Sequence, residues 1–162
     1  VQSEPGLGAM FTIGLPRSMV NPSREAQVGT TVPARGRNET LLLVEDEQAI
    51  LRFGEESLHR LGYQVLIANS PERALDMARQ HRGPIHLLIT DVVLPTMNGR
   101  ELAQLLSSIT PDLKCLFMSG YTADIIAHRG VVDEKLNFIQ KPFTVESLAT
   151  KIRNVLDEPP AG

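Results

Sequence analysis

From Thr40 onward, short apolar runs alternate with stretches in which apolar residues return at helical spacing. The runs are Leu41 to Val44, Tyr63 to Ala68, Ile85 to Thr90, Leu113 to Met118 and Leu136 to Gln140. A short apolar run bounded by turn residues reads as a buried strand of a parallel sheet. After the first run, Ile50, Leu51, Leu58 and Leu61 mark one helix face, and Gly62 closes that helix. Ser70 then caps a helix with Pro71 at its first position, running to about Gln80 before Gly83-Pro84 breaks the chain. Asn98 caps a third helix through Ile109, ended by the Pro111-Asp112 turn. Ala123 to about Arg129 reads as a short fourth helix. Thr144 caps a last one with Val145, Leu148, Ile152, Val155 and Leu156 on one face, and Pro159-Pro160 stops it. Five strands alternating with five helices predict an α/β fold, a doubly wound five-stranded parallel sheet with helices on both faces.

The first part of the chain lacks this rhythm. Ser3 to Gly8 is rich in turn residues, and Ala9 to Leu15 reads as one strand with no partner, which cannot stand alone. Residues 17–38 are rich in Pro, Gly, Ser, Thr and Arg without apolar periodicity, and read as a flexible linker.

Composition narrows the function classes. With 42% hydrophobic and 22% charged residues, the 162-residue chain has the make-up of a globular domain plus a tail. A net charge of -3, with both signs interspersed, gives no basic face for nucleic acid. The one cysteine, Cys115, excludes an internal disulfide and reads as a core thiol. No apolar run approaches the ~20 residues of a membrane span, and no signal peptide is evident, so the cytoplasm is the expected compartment.

In a parallel sheet all strand carboxyl ends meet at one edge, where open α/β sheets bind ligands. Strand one delivers Glu45 and Asp46, strand three Asp91, strand four Ser119 and strand five Lys141. Alone, Asp91 is a nucleophile, a metal ligand or a cap for the next turn. Converging carboxylates repel one another, and a hard divalent cation relieves that repulsion. Oxygen donors with open positions suit Mg²⁺. Lys141 and Ser119 add the donors that phosphoryl oxygens need. Together they fit phosphoryl transfer to a carboxylate, with Asp91 attacking.

Val44-Glu45-Asp46-Glu47, the run Asp91 to Gly99, Met118-Ser119-Gly120-Tyr121 and Lys141-Pro142-Phe143 together resemble the receiver domain of two-component response regulators. The resemblance covers about Glu39 to Leu156. It implies a flavodoxin-like sheet of order 2-1-3-4-5. It also implies roles: Asp91 as phosphoacceptor; Asp46, Asp91 and the Val93 carbonyl as Mg²⁺ ligands, with Glu45 completing the acidic pocket; Lys141 as the phosphate-pairing lysine. Ser119 matches the switch hydroxyl and Phe138 the switch aromatic. The Lys141-Pro142 bond is expected to be cis. Val93 and Tyr121 match positions that tune the lifetime of the phosphoryl group, and an apolar Val93 cannot orient an attacking water, which implies slow self-hydrolysis.

Val1 to Pro16 is similar to the last hairpin of a histidine-kinase ATP-binding domain, in which a Gly-rich turn precedes a strand ending in Leu-Pro. Ala9-Met10 departs from the small hydroxyl residues usual there. The resemblance implies residues 1–16 as a kinase remnant, 17–38 as linker, 39–157 as receiver and 158–162 as tail, the carboxyl-terminal piece of a hybrid sensor histidine kinase whose parent can be membrane-associated. The kinase's nucleotide site would lie ahead of Val1, and no Walker loop replaces it. None of His59, His81, His86 and His128 is followed by an acid, so the fragment is expected to catalyse its own aspartyl phosphorylation and not to draw on ATP. Only Asp157 to Gly162 are read after the receiver, so no DNA-binding or enzymatic output is expected here. The expected partners are a histidine kinase core, a histidine phosphotransfer protein or a second copy, the last through the exposed lone strand.

Each residue also has a plainer reading. Asp91 can cap its loop, Glu45-Asp46 can serve the next helix dipole, Ser119 can cap a helix, Lys141 can be an ordinary surface lysine and Phe138 can be core. Their convergence from distant sequence positions weighs against all of these together. Two rivals differ in class. One is a pseudo-receiver acting only as an interaction module, which loss of a pocket residue would favour. The other is a Mg²⁺-dependent aspartate-nucleophile hydrolase, which needs a second acid where this chain has Val93.

Overall fold

The computed structural model describes residues 2–4, 8–10, 12, 36–120 and 137–159. The chain divides into two compact units, residues 1–31 and 32–162.

The first unit holds a two-stranded antiparallel hairpin. Strand β1 (Gln2–Glu4) pairs with β2 (Gly8–Met10), Gln2 opposite Met10 and Glu4 opposite Gly8. This corrects the reading of a lone strand over Ala9 to Leu15. The strand begins at Gly8 and has a partner, and beyond Met10 only Thr12 is described, outside any strand. Apolar pattern could not find β1, because Gln2-Ser3-Glu4 is wholly polar.

The second unit is a five-stranded parallel sheet built from β3 (Thr40–Val44), β4 (Gln64–Ala68), β5 (Leu87–Asp91), β6 (Lys114–Ser119) and β7 (Phe138–Gln140). Their order is β4-β3-β5-β6-β7, which is 2-1-3-4-5 counted within the sheet. The helices are α1 (Gln48–Arg60), α2 (Pro71–Gln80), α3 (Gly99–Ile109) and α4 (Val145–Asp157). The short helix expected over 123–129 lies outside the described residues.

Strand alternation divides the apolar runs between two cores. Leu41, Leu43, Leu87, Ile89, Leu116 and Met118 face one way, into a cluster with Leu58 of α1 and Leu148, Ile152 and Val155 of α4. Leu42, Val44, Leu88 and Phe117 face the other way, into a cluster with Ala74 of α2 and Leu102 and Leu106 of α3. Because both faces of β3 and β5 are covered, their sequences read as continuous apolar runs.

Local chemistry sets the helix ends. Ser70 accepts from the Arg73 N–H at the start of α2. Asn98 with Glu101, and Thr144 with Ser147, form reciprocal capping boxes on α3 and α4. Gly62, at φ +89°, takes the left-handed conformation that ends α1 and turns the chain into β4. Lys114 Nζ donates to the carbonyls of Val155 (3.1 Å), Leu156 (2.8 Å) and Glu158, satisfying the carboxyl end of α4. Of the stretch read as linker, residues 36–38 are described: the Gly36 N–H donates to Leu61 O at 2.8 Å, and Gln64 Nε2 donates to Asn38 Oδ1 at 3.1 Å.

Candidate functional site

The carboxyl ends of β3, β5, β6 and β7 bring the expected residues to one edge. Glu45 directly follows β3 and extends its pairing, its N–H donating to Ala68 O at 3.1 Å. Its side chain turns inward and is 1% exposed, while Asp46 beside it is exposed. Asp91 ends β5, opposite Met118 of β6. Ser119 ends β6, is buried, and accepts the Lys141 backbone N–H at 2.7 Å. Register therefore sets Ser119 in the strand between those that deliver Asp91 and Lys141.

Carboxylate oxygens of Glu45, Asp46 and Asp91 all lie within 4.8 Å of one another. Among the described residues this is the one group of three or more His, Cys, Asp or Glu side chains close enough to share an ion. A set of hard oxygen donors of this kind suits Mg²⁺, which keeps waters and accepts phosphate oxygens in its remaining positions.

Lys141 closes the pocket. Its Nζ donates to Glu45 Oε2 and to Asp91 Oδ2, each at 2.6 Å. The pairs are largely dry, with side-chain exposures of 14% for Lys141, 1% for Glu45 and 16% for Asp91. Burial raises the Glu45 carboxyl above its ordinary pKa, and Lys141 offsets only part of this. Burial works to lower the Lys141 pKa, but its hydrogen bonds to Asp91 and Glu45 outweigh that and hold the ammonium above the ordinary lysine value. Lys141 precedes Pro142 through a cis peptide bond. The next residue, Phe143, meets Phe53 of α1 with ring centroids 6.3 Å apart, which anchors the loop carrying the lysine.

The other oxygen of Asp91 is held by the chain itself. Oδ1 accepts the Val93 N–H at 3.0 Å. The loop then folds back, with Val93 bridging Asn98 and the Gly99 N–H donating to Val92 O at 2.9 Å. The Val93 side chain stands out from this loop, 63% exposed. Phe138 on β7 is half-buried and packs against the core that includes Phe117, its cross-strand neighbour. Tyr121 lies outside the described residues.

Residue pattern placed Lys141 at the site but gave no sign that it pairs with Glu45 as well as Asp91, because 96 positions separate lysine from glutamate in the chain. The Val93 N–H contact to Asp91 was also illegible, since a backbone donor has no residue type. The described histidines do not join the acidic group; His86 instead accepts the Thr40 N–H through Nδ1 at 3.0 Å. Cys115 is half-buried, and desolvation pushes its thiol up to about 11, so it stays protonated and inert near neutrality.

The family model for the response regulator receiver domain matches residues 41–153. The sensor kinase CckA of Brucella abortus (strain 2308) is 35% identical over 164 residues, a stretch covering 96% of this chain but 17% of that protein. The response regulator receiver protein CpdR of the same organism is 32% identical over 116 residues, covering 72% of this chain and 95% of CpdR. Among solved structures, the receiver domain of the hybrid histidine kinase CckA superposes with a TM-score of 0.62 at 30% identity, covering 73% of this chain and 99% of that domain.

Proposed function

The chain belongs to the response regulator receiver domain family of two-component signalling, and from that we propose that it is a phosphoacceptor in a phosphorelay, taking a phosphoryl group from a phosphohistidine onto Asp91 with Mg²⁺. The observation that carries this reading is the pairing of Lys141 with Asp91 at 2.6 Å inside a pocket where three carboxylates converge. A pocket complete in both charges supports chemistry over a purely docking role.

In this reading Asp46, Asp91 and the Val93 carbonyl hold the ion, with Glu45 completing the acidic set. When bound, Mg²⁺ neutralises charge that builds on the phosphoryl oxygens. The chain's own groups do the rest. An Asp91 carboxylate oxygen attacks phosphorus and forms the new P–O bond. The P–N bond to histidine breaks, and the imidazole nitrogen leaves with the electron pair. Lys141 swings N–H bonds from the carboxylates to the incoming phosphoryl oxygens, and Ser119 donates another. Catalysis is then positioning and charge stabilisation. Ser119 and Phe138 shift with the new contacts and change the surface near β7 and α4, a two-state element biased by the phosphoryl group.

The likeness to CckA takes in 96% of this chain, so it reaches residues ahead of the receiver. This supports reading residues 1–16 as the end of a kinase ATP-binding domain, 17–38 as the linker, 39–157 as the receiver and 158–162 as a tail. The whole protein is then a hybrid sensor histidine kinase, and the receiver exchanges phosphoryl groups with that kinase core or a histidine phosphotransfer protein. Among the described residues no helix is long and apolar enough to cross a membrane. A cytoplasmic site of action is part of the proposal.

The test is transfer from a radiolabelled, phosphorylated histidine phosphotransfer domain to the 162-residue chain. Label should move to the chain in Mg²⁺ and stay on the donor in excess EDTA. Label that stays on the donor in Mg²⁺, with a chain shown to be folded, would overturn the relay reading.

A further inference from the structure

Thr90 is 0% exposed, yet it carries a hydroxyl where the three residues before it in β5 are Leu, Leu and Ile. Two residues on from Leu88, it lies on the same strand face, towards the core shared with α2 and α3. Packing alone would favour valine there, which has the same shape without a polar atom. The hydroxyl has a partner: Oγ1 donates to the backbone carbonyl of Asp91 at 3.1 Å. That carbonyl also lies close against the start of α3. A Cβ on Gly99 would lie 2.2 Å from the Asp91 oxygen and 3.1 Å from Thr90 Cγ2. The bare backbone at the start of α3 and the Thr90 side chain thus enclose one peptide group.

We propose that Thr90 is a positioning residue for the phosphoacceptor: its hydroxyl, braced by Gly99, fixes the Asp91 carbonyl and so the direction in which the carboxylate leaves the strand. The inference rests on Asp91 being the phosphoacceptor. The peptide after Asp91 has its N–H bonded to Met118 O at 2.9 Å. Two residues on, the Val93 N–H holds Asp91 Oδ1. Rotation of the Asp91 carbonyl away from Thr90 turns the same peptide, strains the bond to Met118 and carries the Val93 N–H off its carboxylate oxygen. Thr90 touches no reacting atom. It acts by keeping the nucleophile in line.

The test uses the whole 162-residue chain with acetyl phosphate and saturating Mg²⁺, read by intact mass over time. Thermal unfolding establishes that each variant is folded. Thr90→Val should slow the maximal rate about fivefold, the loss that one buried neutral hydrogen bond of about 1 kcal/mol predicts. The donor concentration at half-maximal rate should not change, because Thr90 is wholly buried and its side chain cannot touch the donor. Thr90→Ser keeps the hydroxyl and should react within about twofold of wild type even where its melting temperature falls, since a lost methyl weakens packing and leaves positioning intact. Gly99→Ala must displace the Asp91 carbonyl and should lose about a hundredfold, the scale of an ångström of misplacement.

A folded Thr90→Val variant at the wild-type rate would overturn the inference, as would a Thr90→Ser variant as slow as valine. If Thr90→Val does not fold, Gly99→Ala decides: a folded alanine variant at the wild-type rate overturns the inference, and a slow one supports it. An unreactive wild type would strike at Asp91 as phosphoacceptor, and the inference would fall with that reading.

Discussion

Lys141 is shared equally between two carboxylates, its ammonium 2.6 Å from Glu45 and 2.6 Å from Asp91. Asp91 is the one proposed to react. Glu45 is the deeper, at 1% exposure, and burial raises its pKa. The lysine therefore offsets repulsion among the acids and stands beside the proposed nucleophile.

Replacing it separates those two roles. Lys141→Met removes a cation and leaves three carboxylates to one another. Mg²⁺ should bind at least as tightly as to wild type, because the ion no longer competes with an ammonium. Phosphorylation from acetyl phosphate should still slow at least ~10-fold, since the phosphoryl oxygens lose a charged donor. Calorimetric titration of Mg²⁺ alongside the mass-detected rate checks both. Weaker Mg²⁺ binding together with a normal rate would contradict this division.

A second ion pair sets the acid stability. Glu39, just ahead of β3, accepts from Arg153 Nη1 of α4 at 2.7 Å, with both side chains 13% exposed. Burial alone would raise the Glu39 pKa, but the Arg153 hydrogen bond and backbone N–H donors outweigh it and hold the carboxyl below its ordinary value. A depressed folded pKa gives stability that is present above the unfolded value of 4.5 and lost as pH falls through the folded one. Glu39→Gln should cost about 1–3 kcal/mol at pH 7, the scale of a charged hydrogen bond, and that difference from wild type should shrink as pH drops below 4.5. Urea unfolding across that pH range measures it. A difference that stays constant with pH would contradict the assignment.

Val93 should govern how long the phosphoryl group survives. Its apolar side chain is 63% exposed two residues beyond Asp91 and has no polar atom with which to orient a water. The adduct is expected to outlast the seconds scale. Val93→Asn supplies an amide at that place and should speed loss of the adduct several-fold, about 1 kcal/mol of added water positioning. Intact mass after removal of the donor follows the decay. Loss within seconds in the wild type would contradict this.

The sequence made the second unit legible because its levels agree. Leu41 to Val44 and Leu87 to Ile89 are apolar on both faces since helices cover both, and that same continuity marks them as parallel strands. Ser70, Asn98 and Thr144 announced their helices by cap chemistry, and each side chain accepts an N–H from the first turn of its helix. Strand β1 was invisible to apolar pattern because Gln2-Ser3-Glu4 has no apolar alternation, and only the resemblance of Val1 to Pro16 to a hairpin pointed to a paired strand there. At the site, the acids and the lysine were legible as residue types at strand ends. The Thr90 hydroxyl was not, since a threonine inside an apolar run reads as an ordinary β-branched strand residue. Its bond to Asp91 O and the closeness of Gly99 exist only once the loop from 92 to 98 has folded back.

The most direct test of the account is acetyl phosphate treatment of wild type and Asp91→Asn, each with and without Mg²⁺, read by intact mass. A single phosphoryl adduct that forms in wild type, requires Mg²⁺ and is absent from a folded Asp91→Asn variant is the predicted result. An adduct of equal yield in Asp91→Asn, or a folded wild type that neither takes up phosphate nor binds Mg²⁺, would contradict it.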